Sequence, residues 1–263
     1  MILRPLEPAA PSGKLRPAWD VVQEIEKREY ETCWMITQPS HAALAGDIAA
    51  KFNGAHAPDL TIPKLDAALI RAIALHDAGW GMADAQAVHM SRMGRVFKPK
   101  SFVHVSVADF LAAWTQSIEI TQPVSPAGGY MVSRHFWRLA EHRLQHAQDT
   151  EGDRKRLQQF MEVESGRQKK KLAAKQERSA EELERLTDVL QLCDLISLYV
   201  CSGAQEHVEL PEYFGLKATL RVEGEGYRME PAMVESGTEF SVAALRHPAG
   251  KGVSGQAISF KIW

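Results

Sequence analysis

The sequence predicts a mainly α-helical protein, in which a helical bundle is followed by a small C-terminal antiparallel β subdomain. The first observation is a stripe of mostly apolar positions at the spacing of one buried helix face, most clearly 183, 186, 190, 193, 197 and 201. The second is a change of pattern from residue 206 onward, where apolar and polar residues alternate, as around Leu220 and Val222. These patterns place the helices first and the strands last.

Three segments follow from the same patterns. Residues 1–33 form a proline-rich N-terminal segment with a short helix, residues 34–205 form the helical core, and residues 206–263 form the β subdomain. Within the core, residues 149–185 are predicted to be a long charged helical insertion, because basic and acidic residues interleave there. We expect the β subdomain to pack on the core, since a few strands alone are rarely stable.

The composition limits the classes of function. The chain of 263 residues has a net charge of −2, so it offers no basic field for nucleic acid or an anionic membrane. Its three cysteines have no zinc-type spacing and do not make an even-numbered disulfide framework. The sequence has no signal-peptide pattern and no run of about 18 apolar residues. These features predict a cytoplasmic enzyme or binding protein with no nucleic-acid or membrane partner.

The first two core helices each bring a histidine to an apolar face. A helix over residues 39–52 follows Gln38 and places His41 on its apolar side. A second helix ends at His76, which continues the apolar stripe of residues 65, 69, 72 and 73, and Asp77 follows directly. Gly79 then breaks the helix. A buried imidazole needs a partner, because an unpaired buried polar group costs about 1–3 kcal/mol.

The middle of the chain adds a further inward histidine. Residues 81–105 show no periodicity and are predicted to be irregular, and Ser106 begins a helix with a capping box. A helix from residue 130 to about residue 148 has His135 on its apolar face. His142 and His146, on the same helix, lie among polar residues and are predicted to be solvated.

Asp194 lies on the inner side of the last core helix, in a very apolar segment. Aspartate is almost never fully buried without a partner. Two partners stay open at this point, namely an arginine such as Arg134 or a metal ion or histidine.

Taken together, His41, His76, Asp77 and Asp194 can meet at one metal ion from three separate helices. Neutral imidazole and carboxylate ligands suit zinc, manganese, iron or nickel, and they leave positions open for water. A bound cation can lower the pKa of that water to about 7 and so make a nucleophile.

The order His…His-Asp…Asp resembles the HD-domain superfamily of metal-dependent phosphohydrolases. At a finer level, four stretches look like an uncharacterised bacterial HD-like family that is catalogued as a domain of unknown function. They are Ile-Thr-Gln-Pro-Ser-His at 36–41, Ala-Leu-His-Asp-Ala-Gly-Trp at 74–80, Ser-Arg-His-Phe at 133–136 and Leu-Gln-Leu-Cys-Asp-Leu-Ile-Ser-Leu at 190–198. The resemblance covers residues 34–263. It implies an HD-domain-like helical bundle and a divalent transition metal site with one or two ions.

Dinuclear members of the superfamily carry extra histidines between the His-Asp pair and the last Asp, which makes His104 and His135 candidate ligands. For His135 a second interpretation stays open, in which it hydrogen-bonds to Asp194 and orients that ligand. The resemblance also implies that Asp77 takes part in catalysis.

One position departs from the phosphohydrolase pattern. Many members have a phosphate-holding lysine shortly after the His-Asp pair, where this chain has Trp80. Arg134, Lys98 or Lys100 are candidates to take over that contact, and Arg134 is the residue that we assign to catalysis. The absence of the lysine weakens the case for phosphoester hydrolysis.

Three functions therefore compete. The first is a metal-dependent hydrolase of a phosphorylated small molecule or nucleotide, and the second is a mixed-valent di-iron oxygenase. The third is a non-catalytic module that senses a ligand. The expected partner is a small phosphorylated substrate, and a homodimer is an open assembly state.

Overall fold

The computed structural model describes residues 1–52, 63–93, 97–173, 178–249 and 255–263. The helices in these residues are α1 Ala18–Glu26, α2 Gln38–Ala50, α3 Ala67–Ala74, α4 Gly81–Arg92, α5 Val107–Thr121, α6 Pro126–His146, α7 Glu151–Ala173 and α8 Ala180–Cys201. The strands are β1 Ile2–Pro5, β2 Leu15–Pro17, β3 Cys33–Ile36, β4 His207–Glu209, β5 Thr219–Glu223, β6 Gly226–Glu230, β7 Thr238–His247 and β8 Gly255–Ile262.

The strands of the described ranges form one eight-stranded sheet in the order β1-β3-β7-β8-β6-β5-β4-β2. The pairs β2–β4 and β6–β8 are parallel, and the other pairs are antiparallel. The protein is therefore a mixed α/β protein. The predicted mainly α fold with a small antiparallel C-terminal subdomain is wrong.

The reason lies in the N-terminal part of the chain. The alternating strands expected after residue 206 are present as β5, β7 and β8, but the first 36 residues add three more strands to the same sheet. Both edge strands, β1 and β2, come from this part. The apolar segments at 1–3 and 33–37 indicate extended chain, but strands of three or four residues are too short to show an alternating pattern or to indicate which sheet they join.

A second correction concerns residues 81–105, which the sequence predicts to be irregular but which begin with α4. Two buried polar contacts hold this helix in place. Asp84 Oδ2 accepts the backbone N–H of Gln38 at 2.6 Å, and the hydroxyl of Ser91 lies 2.8 Å from His247 Nδ1. Because the buried side chains of α4 are polar, the helix leaves no apolar stripe in the sequence.

Helix α2 is the central element that positions the candidate site. It packs against α3 and α8, and it also contacts β7 of the sheet. Helix α6 packs against α8 and against the charged helix α7. No helix in the described part of the chain has the length and apolar character needed to cross a membrane.

Candidate metal centre

Four elements bring the predicted ligands together. His41 lies in the first turn of α2, His135 in the middle of α6 and Asp194 in the middle of α8. His76 and Asp77 follow the end of α3, whose last helical residue is Ala74. The start of α2 is fixed by Thr37, whose side chain accepts the backbone N–H of Ser40 at 3.1 Å. This cap sets the direction from which His41 enters the site.

Two glycines allow the close packing that the site needs. A Cβ atom on Gly46 would lie 2.6 Å from the Cβ atom of Ala74, so glycine is what lets α2 approach the end of α3. A Cβ atom on Gly79 would lie 2.0 Å from the carbonyl oxygen of Ala113 in α5. The N–H of Gly79 also donates to the hydroxyl of Ser117 at 2.9 Å, which fixes the turn after Asp77.

The two histidines and the two aspartates form one compact cluster. His41 Nε2 lies 3.0 Å from Asp77 Oδ2 and 3.7 Å from Asp194 Oδ1. His76 Nε2 lies 3.1 Å from Asp194 Oδ1 and 3.8 Å from Asp77 Oδ2. One ligand atom from each of His41, His76 and Asp194 lies within 4.8 Å of the others. Each imidazole Nε2 therefore faces both carboxylates.

The other nitrogen of each ring is held by a hydrogen-bond acceptor. His76 Nδ1 donates to the carbonyl oxygen of Ile73 at 2.8 Å. The hydroxyl of Ser197 donates to the carbonyl oxygen of Asp194 at 2.8 Å, so its oxygen accepts from His41 Nδ1, also at 2.8 Å. In its neutral form, each ring thus carries the proton on Nδ1 and directs the Nε2 lone pair at the carboxylates. Metal-binding histidines are usually oriented in this way.

The cluster is buried on the imidazole side and less buried on the carboxylate side. The side chains of His41 and His76 are 1% exposed, whereas those of Asp77 and Asp194 are 10% and 11% exposed. Burial alone would lower the pKa of His76, but the charge of Asp77 and the contact with Asp194 raise it to about 9. Burial alone would raise the pKa of Asp194, but the His76 hydrogen bond holds it at about 2. When no cation is bound, His76 therefore carries a second proton on Nε2, and this proton lies between His76 and Asp194.

His135 lies beside the cluster, as its helix face predicts. Its Nε2 is 3.8 Å from Asp194 Oδ2, and its ring centroid is 5.5 Å from that of His76. Its Nδ1 is buried and has no hydrogen-bond partner. Burial lowers the pKa of His135 to about 4, which keeps the ring neutral and able to bind a cation.

The structure does not bring the other candidates to the cluster. His104 is exposed in a short turn before α5, and it acts electrostatically on Glu29. Arg134 Nε pairs with Glu184 at 3.0 Å, and its guanidinium lies 4.3 Å from the ring centroid of Trp137. Lys98 and Lys100 are both exposed, and Lys98 pairs with Glu29.

Sequence reasoning missed three residues around the cluster. Ser197 lies on the predicted buried stripe of α8, and its spacing of three from Asp194 is a signal that its hydroxyl can reach the carbonyl oxygen of that residue. Arg138 lies one turn after His135, and its positive charge contributes to lowering the pKa of His135. Tyr213 lies outside the helices, and no pattern in the sequence predicts its place. Burial raises the pKa of Tyr213, and the charge of Asp194 raises it further.

These features define a mixed α/β protein with a buried His/Asp group that could hold a metal ion. The chain belongs to the family described as Protein of unknown function (DUF3891), whose family model matches residues 25–238. No curated protein and no solved structure gave a match to the chain. The match confirms the predicted resemblance to an uncharacterised family that is catalogued as a domain of unknown function.

Proposed function

We propose that this protein is a metal-dependent hydrolase of a phosphorylated small molecule or nucleotide, related to the HD-domain superfamily. One observation carries the proposal. Two buried imidazoles have their Nδ1 atoms held by acceptors, and their Nε2 atoms face two carboxylates at 3.0 and 3.1 Å. A lone pair directed at a carboxylate oxygen is repulsive unless a proton or a cation lies between them. The cluster is therefore built around a positive charge.

The donor set fits a divalent transition metal. His41, His76 and Asp194 supply two nitrogens and a carboxylate, and Asp77 adds a second carboxylate beside them. Iron, manganese, zinc and nickel all accept this mixture of ligands, whereas calcium and magnesium prefer oxygen alone. When bound, such a cation lowers the pKa of its water to about 7 and supplies a nucleophile.

The other roles in the proposed reaction belong to residues of the protein itself. Ser197 and the carbonyl of Ile73 hold the imidazoles in the tautomers described above. The partly exposed carboxylates mark the side from which water and substrate approach. We assign the proton of the attacking water to the carboxylate of Asp77. Both oxygens of Asp194 face imidazoles, Oδ1 that of His76 and Oδ2 that of His135, whereas Asp77 contacts the histidines through Oδ2. Arg134 is engaged by Glu184, so we do not propose it as the phosphate contact.

A second candidate, a mixed-valent di-iron oxygenase, is favoured by His135. Its ring lies next to Asp194, and its buried Nδ1 lacks a hydrogen-bond partner. His135 would supply an additional imidazole to hold a second cation beside Asp194. The presence of Trp80 in place of a phosphate-holding lysine points in the same direction.

The test begins with metal analysis of the purified full-length protein. Asp77→Ala and Asp194→Asn should abolish metal retention, whereas Asp188→Asn, on the same helix as Asp194 but paired with Arg138, should not. Phosphate release from p-nitrophenyl phosphate and from nucleotides in the presence of manganese, nickel or zinc would support the hydrolase.

Iron with an oxygen-dependent spectral change would support the oxygenase instead. Bound metal with neither activity would indicate the non-catalytic module. An unchanged metal content in Asp77→Ala would show that the site is wrong.

A further inference from the structure

The last turn of α6 carries two histidines that lie outside the buried centre. His142 and His146 are both exposed, their ring centroids are 4.3 Å apart, and their ring planes are inclined by 24°. Residues four apart lie on the same face of a helix, which is the spacing of paired histidine ligands in helical zinc sites. We propose that this pair is a second metal site, a surface clamp for one divalent cation such as Zn²⁺, Ni²⁺ or Cu²⁺.

The orientation of His146 supports a role as ligand. Its Nδ1 donates to the carbonyl oxygen of His142 at 2.9 Å, so the neutral ring keeps its proton on Nδ1 and leaves the Nε2 lone pair free. His76 in the buried centre has the same arrangement, with Nδ1 on the carbonyl of Ile73. An acceptor on the nitrogen that does not bind metal is the usual support of a metal-binding histidine.

The electrostatic surroundings also favour a cation. Helix α6 ends at His146, and the carbonyl groups of a last helical turn attract positive charge, as the contact of Arg154 with the Leu144 carbonyl oxygen at 3.0 Å shows. Two cations lie at this helix end, Arg143 and Arg154. Asp149 holds Arg143 with both oxygens at 2.6 and 2.8 Å, which offsets its repulsion, and Arg154 is bound to the Leu144 carbonyl oxygen. Burial lowers the pKa of His142, and His146 lowers it further, so the neutral form that binds metal is favoured.

The chemistry of the pair defines the class of ion and its relative affinity. Imidazole nitrogens suit zinc, nickel and copper, and the affinity of such sites rises from nickel to copper. Two nitrogens with water in the remaining positions bind more weakly than the mixed nitrogen and carboxylate set of the buried centre. The surface clamp should therefore fill only after that centre is saturated.

The surface clamp is tested by calorimetric titration of the untagged, metal-free, full-length protein with Zn²⁺. We expect a weak class of one Zn²⁺ per chain, separate from the tight class of the buried centre. His142→Ala and His146→Ala should each remove the weak class and leave the tight class unchanged, because a clamp needs both rings. A matched control is the double variant His89→Ala/His104→Ala, which removes two exposed histidines on separate elements and should keep both classes.

Persistence of the weak class in His146→Ala, its loss in the control, or its absence from the wild-type protein would overturn the surface clamp. All four histidines are exposed, so the variants should fold, and circular dichroism checks this. The clamp does not depend on the proposed function. If the buried centre binds no metal, the weak class should still appear and should still be lost in His142→Ala.

Discussion

The hydroxyl of Ser197 offers a direct test of His41 as a metal ligand. In the structure this oxygen accepts from His41 Nδ1 and donates to the carbonyl of Asp194, each at 2.8 Å. Ser197→Ala removes one buried oxygen and leaves every candidate ligand in place. The change therefore tests the orientation of His41 without removing His41 or any other candidate ligand.

The expected magnitude follows from where the lost hydrogen bond is needed. When His41 Nε2 binds a metal, Nδ1 must keep its proton, and in the variant this buried N–H has no acceptor, which costs about 1–3 kcal/mol. Without metal, the proton can move to Nε2 and be donated to Asp77 Oδ2, 3.0 Å away. The penalty then falls mainly on the metal-bound state, and we expect the metal affinity to fall about 10–100-fold.

The measurement is competition for zinc or manganese with a chelator of known affinity. Ser202→Ala is the matched control, because Ser202 is also buried at the end of α8 and its hydroxyl donates to the carbonyl oxygen of Tyr199 at 2.9 Å. The control should keep the wild-type affinity, and both variants should unfold cooperatively. If the affinity of Ser197→Ala stays within about twofold of the control, the orientation argument is refuted.

Four further predictions concern other parts of the molecule. If the centre is dinuclear, two metal equivalents per chain should fall to one in His135→Ala, and a single equivalent unaffected by that change excludes it. Gly79→Ala should unfold the protein or lower its melting temperature strongly, since the new Cβ would lie 2.0 Å from the Ala113 carbonyl oxygen; an unchanged melting temperature contradicts this. Burial raises the pKa of Glu26 from 4.5 to about 7, so its ionisation destabilises the folded protein as the pH rises through this range. Glu26→Gln should therefore gain stability relative to the wild-type protein between pH 5 and pH 8. A stability difference between the two proteins that does not change with pH counts against this prediction. Truncation after Ser202 removes β4–β8 and should give an aggregating fragment, and a soluble, cooperatively melting fragment would mean that the helical part folds alone.

The sequence predicts a member of the cluster well where the apolar face of a helix determines whether the residue is buried. His41, His135 and Asp194 each continue an apolar stripe, and the structure places all three inward. The same geometry argues against Arg134, because neighbouring residues of a helix point about 100° apart. Because His135 faces inward, Arg134 faces a different direction, and in the structure it contacts Glu184. The sequence predicts the difference in direction, but it does not predict the contact.

The pairing of the N-terminal strands is the part of the sheet that periodicity cannot predict. Strand β1 pairs with β3, and β3 pairs with β7, so residues near the N-terminus pair with residues more than 200 positions later. A pattern within one short segment carries no information on such a partner. His104 shows a related limit, because its place in the order of histidines says nothing about its burial, and the structure leaves it exposed.

A periodic pattern says which face of a helix is buried, but it does not say which buried groups meet. That depends on how closely the helices approach, and here the approach is set by the absence of side chains. At Gly46 the space that a Cβ atom would take is already filled by Ala74, two residues before His76. A larger residue at position 46 would force α2 away from this turn and separate the Nε2 atoms of His41 and His76. The site is therefore specified as much by this glycine as by its ligands, and the sequence gives the ligands a recognisable pattern but not the glycine.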